Sequence, residues 1–152
     1  MEKKVFIEWD DRYSIGIPLI DTQHKKLVEM TNNLYECCFG ETKTARQCFK
    51  ETVQGTVDYV KYHFTAEEKI LENIKYPDLR VHKKEHESFV KKILEEVRNF
   101  EEGKKFVPFI FVRYLRDWIL AHIAVEDKKY AEFILALKKQ VAMKRTADAQ
   151  VS

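Results

Sequence analysis

Between about Thr44 and Asn73 the residues Phe49, Val53, Val57, Val60, Phe64 and Leu71 fall on one broad apolar stripe. That period belongs to a long amphipathic α-helix. The chain repeats the pattern on either side. Asp21 is a good N-cap for an earlier helix running to about Phe39, with Gly40 as its stop and Leu27, Val28, Thr31, Leu34 and Tyr35 as its stripe. After a turn at Tyr76-Pro77-Asp78, a third helix runs from about Leu79 to Phe100 through Phe89, Val90, Ile93, Leu94 and Val97. Glu101-Glu102-Gly103 ends it, and Pro108 suits the first turn of a fourth, which carries Phe109, Val112, Leu115, Trp118, Ile119 and His122.

Four long helices with short loops predict an all-α, up-down-up-down four-helix bundle. Residues 1–20 read as an irregular arm interrupted by Gly16 and Pro18, able to lie across the bundle and bury Trp9. A short C-terminal helix follows the fourth, with Tyr130, Phe133, Ile134, Leu137 and Val141 at helical spacing. Residues 21–143 are then bundle and C-terminal helix, 144–152 a polar, frayed tail, and 1–152 one domain. With 45% apolar and 34% charged residues and few Gly or Pro, the composition suits a helix-rich globular chain. A net charge of +2 with interspersed signs leaves no footprint for nucleic acid. The acidic start Met1-Glu2-Lys3-Lys4 is unlike a signal peptide, and no segment is apolar enough for membrane insertion. The expected address is the cytoplasm, and the expected state a monomer. Cys37, Cys38 and Cys48 are odd in number with two adjacent, which reads as reduced, buried thiols near a helix–helix loop.

In an antiparallel bundle, the start of helix one, the end of two, the start of three and the end of four share one end. His24 begins helix one, His63 and Glu67 are late in two, His82 and His86 open three, and His122 and Asp127 close four. Within His63/Glu67 and His82/His86 a four-residue spacing puts both side chains on one helix face. A lone histidine on an apolar face is usually a hydrogen-bonded core residue. Five converging ones would each need a separate partner, and a metal site satisfies them together.

Five imidazoles exceed the needs of one tetrahedral zinc. Two six-coordinate ions sharing two bridging carboxylates and an oxo or hydroxo bridge would accommodate all five, leaving one position for an outside ligand such as dioxygen. One difficulty is the spacing of His122 and Asp127. Five residues carry an ideal helix about 140° past a full turn, so both can face one site only across a π-like bulge, kink or helix end.

The order His…His-x-x-x-Glu…His-x-x-x-His…His-x-x-x-x-Asp resembles the hemerythrin family, especially its bacterial branch. Trp9-Asp10, Gly16-Ile17, Asp21-Thr22-Gln23-His24-Lys25-Lys26-Leu27, Tyr76-Pro77, Trp118-Ile119-Leu120-Ala121-His122-Ile123 and Asp127-Lys128-Lys129-Tyr130 are similar to it too, over about residues 7–135. The resemblance implies two iron ions bridged by oxo or hydroxo. His82, His86 and His122 would hold the saturated iron and His24 and His63 the open one, with Glu67 and Asp127 bridging. It implies reversible dioxygen binding at the open iron, in transport, storage or delivery, without catalysis. Leu27, Phe64, Trp118 and Ile123 are expected to wall the pocket. Some invertebrate carriers have a bulky leucine where this chain has Ala124, which points to a more open pocket. Competing readings with the same core are oxygen or nitric-oxide sensing or scavenging, peroxide or nitrogen-oxide chemistry, and iron–sulfur cluster repair. The imidazole-rich ligand set, without a general acid or base, favours the carrier.

Overall fold

The computed structural model describes residues 5–39 and 42–151. Five helices make up most of it: α1 (Pro18–Cys37), α2 (Thr42–Asn73), α3 (Leu79–Glu101), α4 (Pro108–His122) and α5 (Lys128–Val151). No strand occurs among the described residues. α1 packs on α2 and α4, and α2 on α3, in the up-down-up-down arrangement. Leu34, Phe49, Phe89, Ile93, Val112 and Leu115 belong to the core and are almost fully buried. At one end Phe49 lies 5.0–5.7 Å, centroid to centroid, from Phe100, Phe106 and Phe111, so that end is closed by aromatic edges. The polar cluster described below sits at the other end. Among the described residues no helix is long and apolar enough to cross a membrane.

Several boundaries differ from the sequence expectation. Asp21 is not the N-cap of α1: the extended residue before the helix is Ile17, and Pro18, with its fixed φ and no N–H to lose, opens it. Asp21 instead turns its carboxylate back on the arm and accepts from the Ser14 hydroxyl (2.8 Å), Ile15 N–H (2.8 Å) and Gly16 N–H (3.3 Å). Gly16 has φ +79°, so this bend requires the residue without a Cβ. α1 stops at Cys37 rather than Phe39, and Gly40 lies outside the described residues. The arm buries Ile7 rather than Trp9. The side chain of Asn32 clamps the Ile7 backbone, accepting from its N–H (2.8 Å) and donating to its carbonyl (2.9 Å). Trp9 stays half-buried against Tyr13, with the Lys25 ammonium 5.4 Å from its ring.

Two larger corrections concern the C-terminus and the cysteines. α5 is neither short nor frayed: it spans 24 residues and stays helical through 144–151, although exposed from Lys138 to Gln150. Helix-forming residues such as Ala, Lys, Met and Arg sustain it where tertiary contacts do not. Cys37 and Cys48 are joined in a disulfide, because the end of α1 packs antiparallel on the start of α2 and brings their Cα atoms to 5.5 Å. An odd count leaves one thiol over, and that one is Cys38. It is half-buried, donates to the Leu34 carbonyl at 3.5 Å, and has its pKa pushed up by burial.

Candidate metal centre

α4 does not end at His122 in the ordinary way. A π-helical turn, Ile123–Asp127, inserts before α5 and keeps the rod continuous. The wider turn places residues five apart on one side, and Asp127 is buried beside His122 instead of facing solvent. The bulge required by the His122–Asp127 spacing is therefore present.

His24, His63, Glu67, His82, His86, His122 and Asp127 all converge at this end of the bundle, and none is more than 7% exposed. Their arrangement is two groups sharing a border. One is Glu67, His82, His86 and His122; the other is His24, His63, Glu67 and Asp127. Each carboxylate divides its two oxygens between them. Glu67 Oε1 lies 2.7 Å from His82 Nε2 and 3.2 Å from His86 Nε2, while Oε2 lies 3.2 Å from His63 Nε2 and 3.7 Å from His24 Nε2. Asp127 Oδ1 lies 3.2 Å from both His82 and His122 Nε2, and Oδ2 lies 3.1 Å from His24 Nε2.

These separations fit ligands around ions. Donors held at about 2.1 Å from one ion and at right angles to each other sit roughly 3 Å apart. The Nε2 atoms of His86 and His122 are 3.1 Å apart, and those of His122 and His82 3.3 Å. Four buried atoms, both ring nitrogens of His24 and both carboxylate oxygens of Asp127, have no hydrogen-bond partner among the described residues although His24 and Asp127 nearly touch. Buried polar atoms in that condition call for a missing partner, and a cation between them supplies it.

Four further residues set the ligands, and sequence alone gives them no role, although Gln23 and Tyr130 stand inside the family-like stretches quoted above. His63 Nδ1 donates to the Gln23 amide oxygen (2.7 Å), which leaves its Nε2 lone pair for the cluster. His86 Nδ1 donates to Glu68 (3.1 Å), and His122 Nδ1 lies 3.3 Å from Glu85. Tyr130, fully buried, donates its hydroxyl to Glu67 Oε2 at 3.0 Å. Gln23, Glu68 and Glu85 each neighbour a ligand in the chain, the one signal that could have found them. Rings hold the imidazoles from the side: Phe64 stacks on His86 at 3.7 Å and Trp118 on His122 at 4.4 Å.

Without metal the cluster binds protons. Burial opposes charge on His24, but Asp127 and Glu67 outweigh it and raise its pKa to about 9. His82, under the same opposition, is raised to about 10 by Asp127 and Glu67. Burial also opposes ionisation of Glu67 and Asp127, yet the surrounding histidines hold both well below the carboxylate range. Metal needs neutral imidazoles, so it must displace these protons. Apparent affinity is expected to rise between pH 6 and pH 9, by roughly tenfold per pH unit for each proton released. Metal titrations of the metal-free protein at several pH values check this, and a flat profile would contradict it.

A cavity of about 10 Å³ opens on the cluster, floored by His24, His63, His122 and Asp127 and walled by Leu27, Phe64, Trp118, Ile119 and Ile123. It has room for one water-sized molecule. The four expected wall residues all line it, together with Ile119. Ala124 does not: it is exposed, so its small size opens nothing, and Ile123 fills that side.

A helical bundle with a buried, two-lobed cluster of imidazoles and carboxylates defines a protein able to hold a pair of metal ions. A family model described as the hemerythrin HHE cation binding domain matches residues 15–134. The chain is 34% identical over 134 residues to a bacteriohemerythrin of Stenotrophomonas maltophilia, covering 88% of this chain and 85% of that protein. It is 30% identical over 129 residues to a bacteriohemerythrin of Clostridium acetobutylicum, covering 82% and 98%. A crystal structure of wild-type hemerythrin superposes with a TM-score of 0.78 at 27% identity, over 84% of this chain and 96% of that one. The chain belongs to the hemerythrin family, whose members hold a di-iron centre.

Proposed function

We propose that this protein binds dioxygen reversibly at a di-iron centre, as a carrier that transports, stores or delivers it, and that it is not an enzyme. The observation that carries this reading is the single-molecule cavity against His24 and His63. His82, His86 and His122 would hold one ion, His24 and His63 the other, with Glu67 and Asp127 between them. When bound, the iron pair supplies electrons and one coordination position open to a small ligand.

The chain's own residues do the rest. Leu27, Phe64, Ile119 and Ile123 bring no polar group to the cavity, so its walls offer a water molecule no hydrogen bond. Gln23 fixes the tautomer of His63. Tyr130 keeps its proton and donates it in a hydrogen bond to Glu67 Oε2, because burial and the two carboxylates push the phenol pKa far up. Apart from the ligands themselves, no carboxyl, hydroxyl or ammonium group among the described residues lines the cavity. The test is gas exchange. Protein loaded with Fe(II) under argon, exposed to air and purged again is expected to gain and lose a visible charge-transfer band over repeated cycles. A single irreversible turnover would point to a scavenger or enzyme instead.

A further inference from the structure

The two halves of the cluster are backed by different chemistry. On the three-histidine side the supporting groups are anionic: Glu68 on His86 Nδ1 (3.1 Å) and Glu85 by His122 Nδ1 (3.3 Å). A carboxylate on the far nitrogen makes an imidazole a stronger donor to a cation. On the two-histidine side His63 is backed by the neutral amide of Gln23, and His24 Nδ1 has no hydrogen-bond partner among the described residues. Glu67 is divided the same way. Its Oε1, 2.7 Å from His82, accepts nothing from Tyr130, whereas Oε2 shares its electron density with the Tyr130 hydroxyl. Anionic support, ligand number and the less encumbered carboxylate oxygen all favour one side.

We propose that the His82/His86/His122 half is the tight, first-filled metal site and the His24/His63 half the weak, exchangeable one, with Glu68 and Glu85 as the positioning residues that create the difference. This rests on the reading of the cluster as a two-ion site and adds an order to it. At limiting iron the chain holds one ion, in the half that contributes only His122 to the cavity, and dioxygen binding appears only with the second equivalent. Glu68 is 23% exposed and Glu85 37%, so the charge of Glu68 is less screened and has the larger effect.

Anaerobic titration of the metal-free protein with Co(II), read by visible spectra and calorimetry, tests the order. Two one-equivalent steps are expected, at least tenfold apart in Kd. Glu68→Gln keeps an acceptor for the His86 N–H and removes only the charge, and it should weaken the first step on the order of 10–100-fold while leaving the second in place. Glu85→Gln should do the same more weakly. Gln23→Glu should tighten the second step and narrow the gap. Thermal unfolding of each metal-free variant reports whether it folds, and the Gln23 and Glu85 variants decide the matter if Glu68→Gln does not. Two equivalents bound in one unresolved step, or a Glu68→Gln variant that weakens only the second, would overturn this inference alone. Fewer than two equivalents in the unaltered protein would overturn the two-ion reading as well.

Discussion

Glu67→Ala is expected to hold at most one iron per chain and to be less stable without metal than the unaltered protein by about 3–5 kcal/mol, the cost of breaking a buried ion pair from one side. Glu67 is fully buried, faces four imidazoles with its two oxygens and accepts the Tyr130 hydroxyl. Removing it leaves His24 and His82 without one of the two carboxylates that raise their pKa values, and leaves the Tyr130 donor without its acceptor. Iron analysis and denaturant unfolding measure the two effects separately. Glu67→Gln, which keeps shape and one acceptor oxygen, should recover part of the stability but not the second ion. An alanine variant that still held two ions would remove Glu67 from the bridging position.

Opening the cavity wall should have the next largest effect. Leu27 is 2% exposed and lines the cavity, and Trp118 lies between His122 and Phe89, stacked on both at 4.4 and 3.9 Å. Leu27→Ala or Trp118→Ala admits water beside the His24/His63 half. Each is expected to speed autoxidation of the iron-loaded protein on the order of tenfold, equivalent to about 1.4 kcal/mol off the barrier, with iron content unchanged. Both should also cost about 2–5 kcal/mol of stability. Decay of the charge-transfer band in air gives the rate. An unchanged rate in both variants would mean that these side chains do not guard the site.

What the sequence disclosed divides along physical lines. Helical periodicity is a repeated signal, so α2 and α3 were legible from their stripes to within a residue or two. The convergence of His24, His63, Glu67, His82, His86, His122 and Asp127 followed from topology, and the awkward spacing of the last pair was enough to require the π turn. Signals carried by one residue read less well. Asp21 could have capped α1 by its chemistry, and only the fold shows its carboxylate spent on Ser14, Ile15 and Gly16. The Cys37–Cys48 pairing depends on how two helices meet across a loop, which residue count does not encode. Ala124 faces outward and Ile123 inward because the widened turn after His122 decides which of the next residues points to the cluster. Gln23, Glu68, Glu85 and Tyr130 have the composition of any surface or core residue. Their roles come from what stands opposite them.

Anomalous diffraction at the iron edge, from crystals of the loaded protein, counts the ions and locates each one. Two peaks are expected, one among His82, His86 and His122 and the other beside His24 and His63, with Glu67 and Asp127 reaching both. A single peak, or peaks at other residues, would rule out a two-ion centre bridged by Glu67 and Asp127.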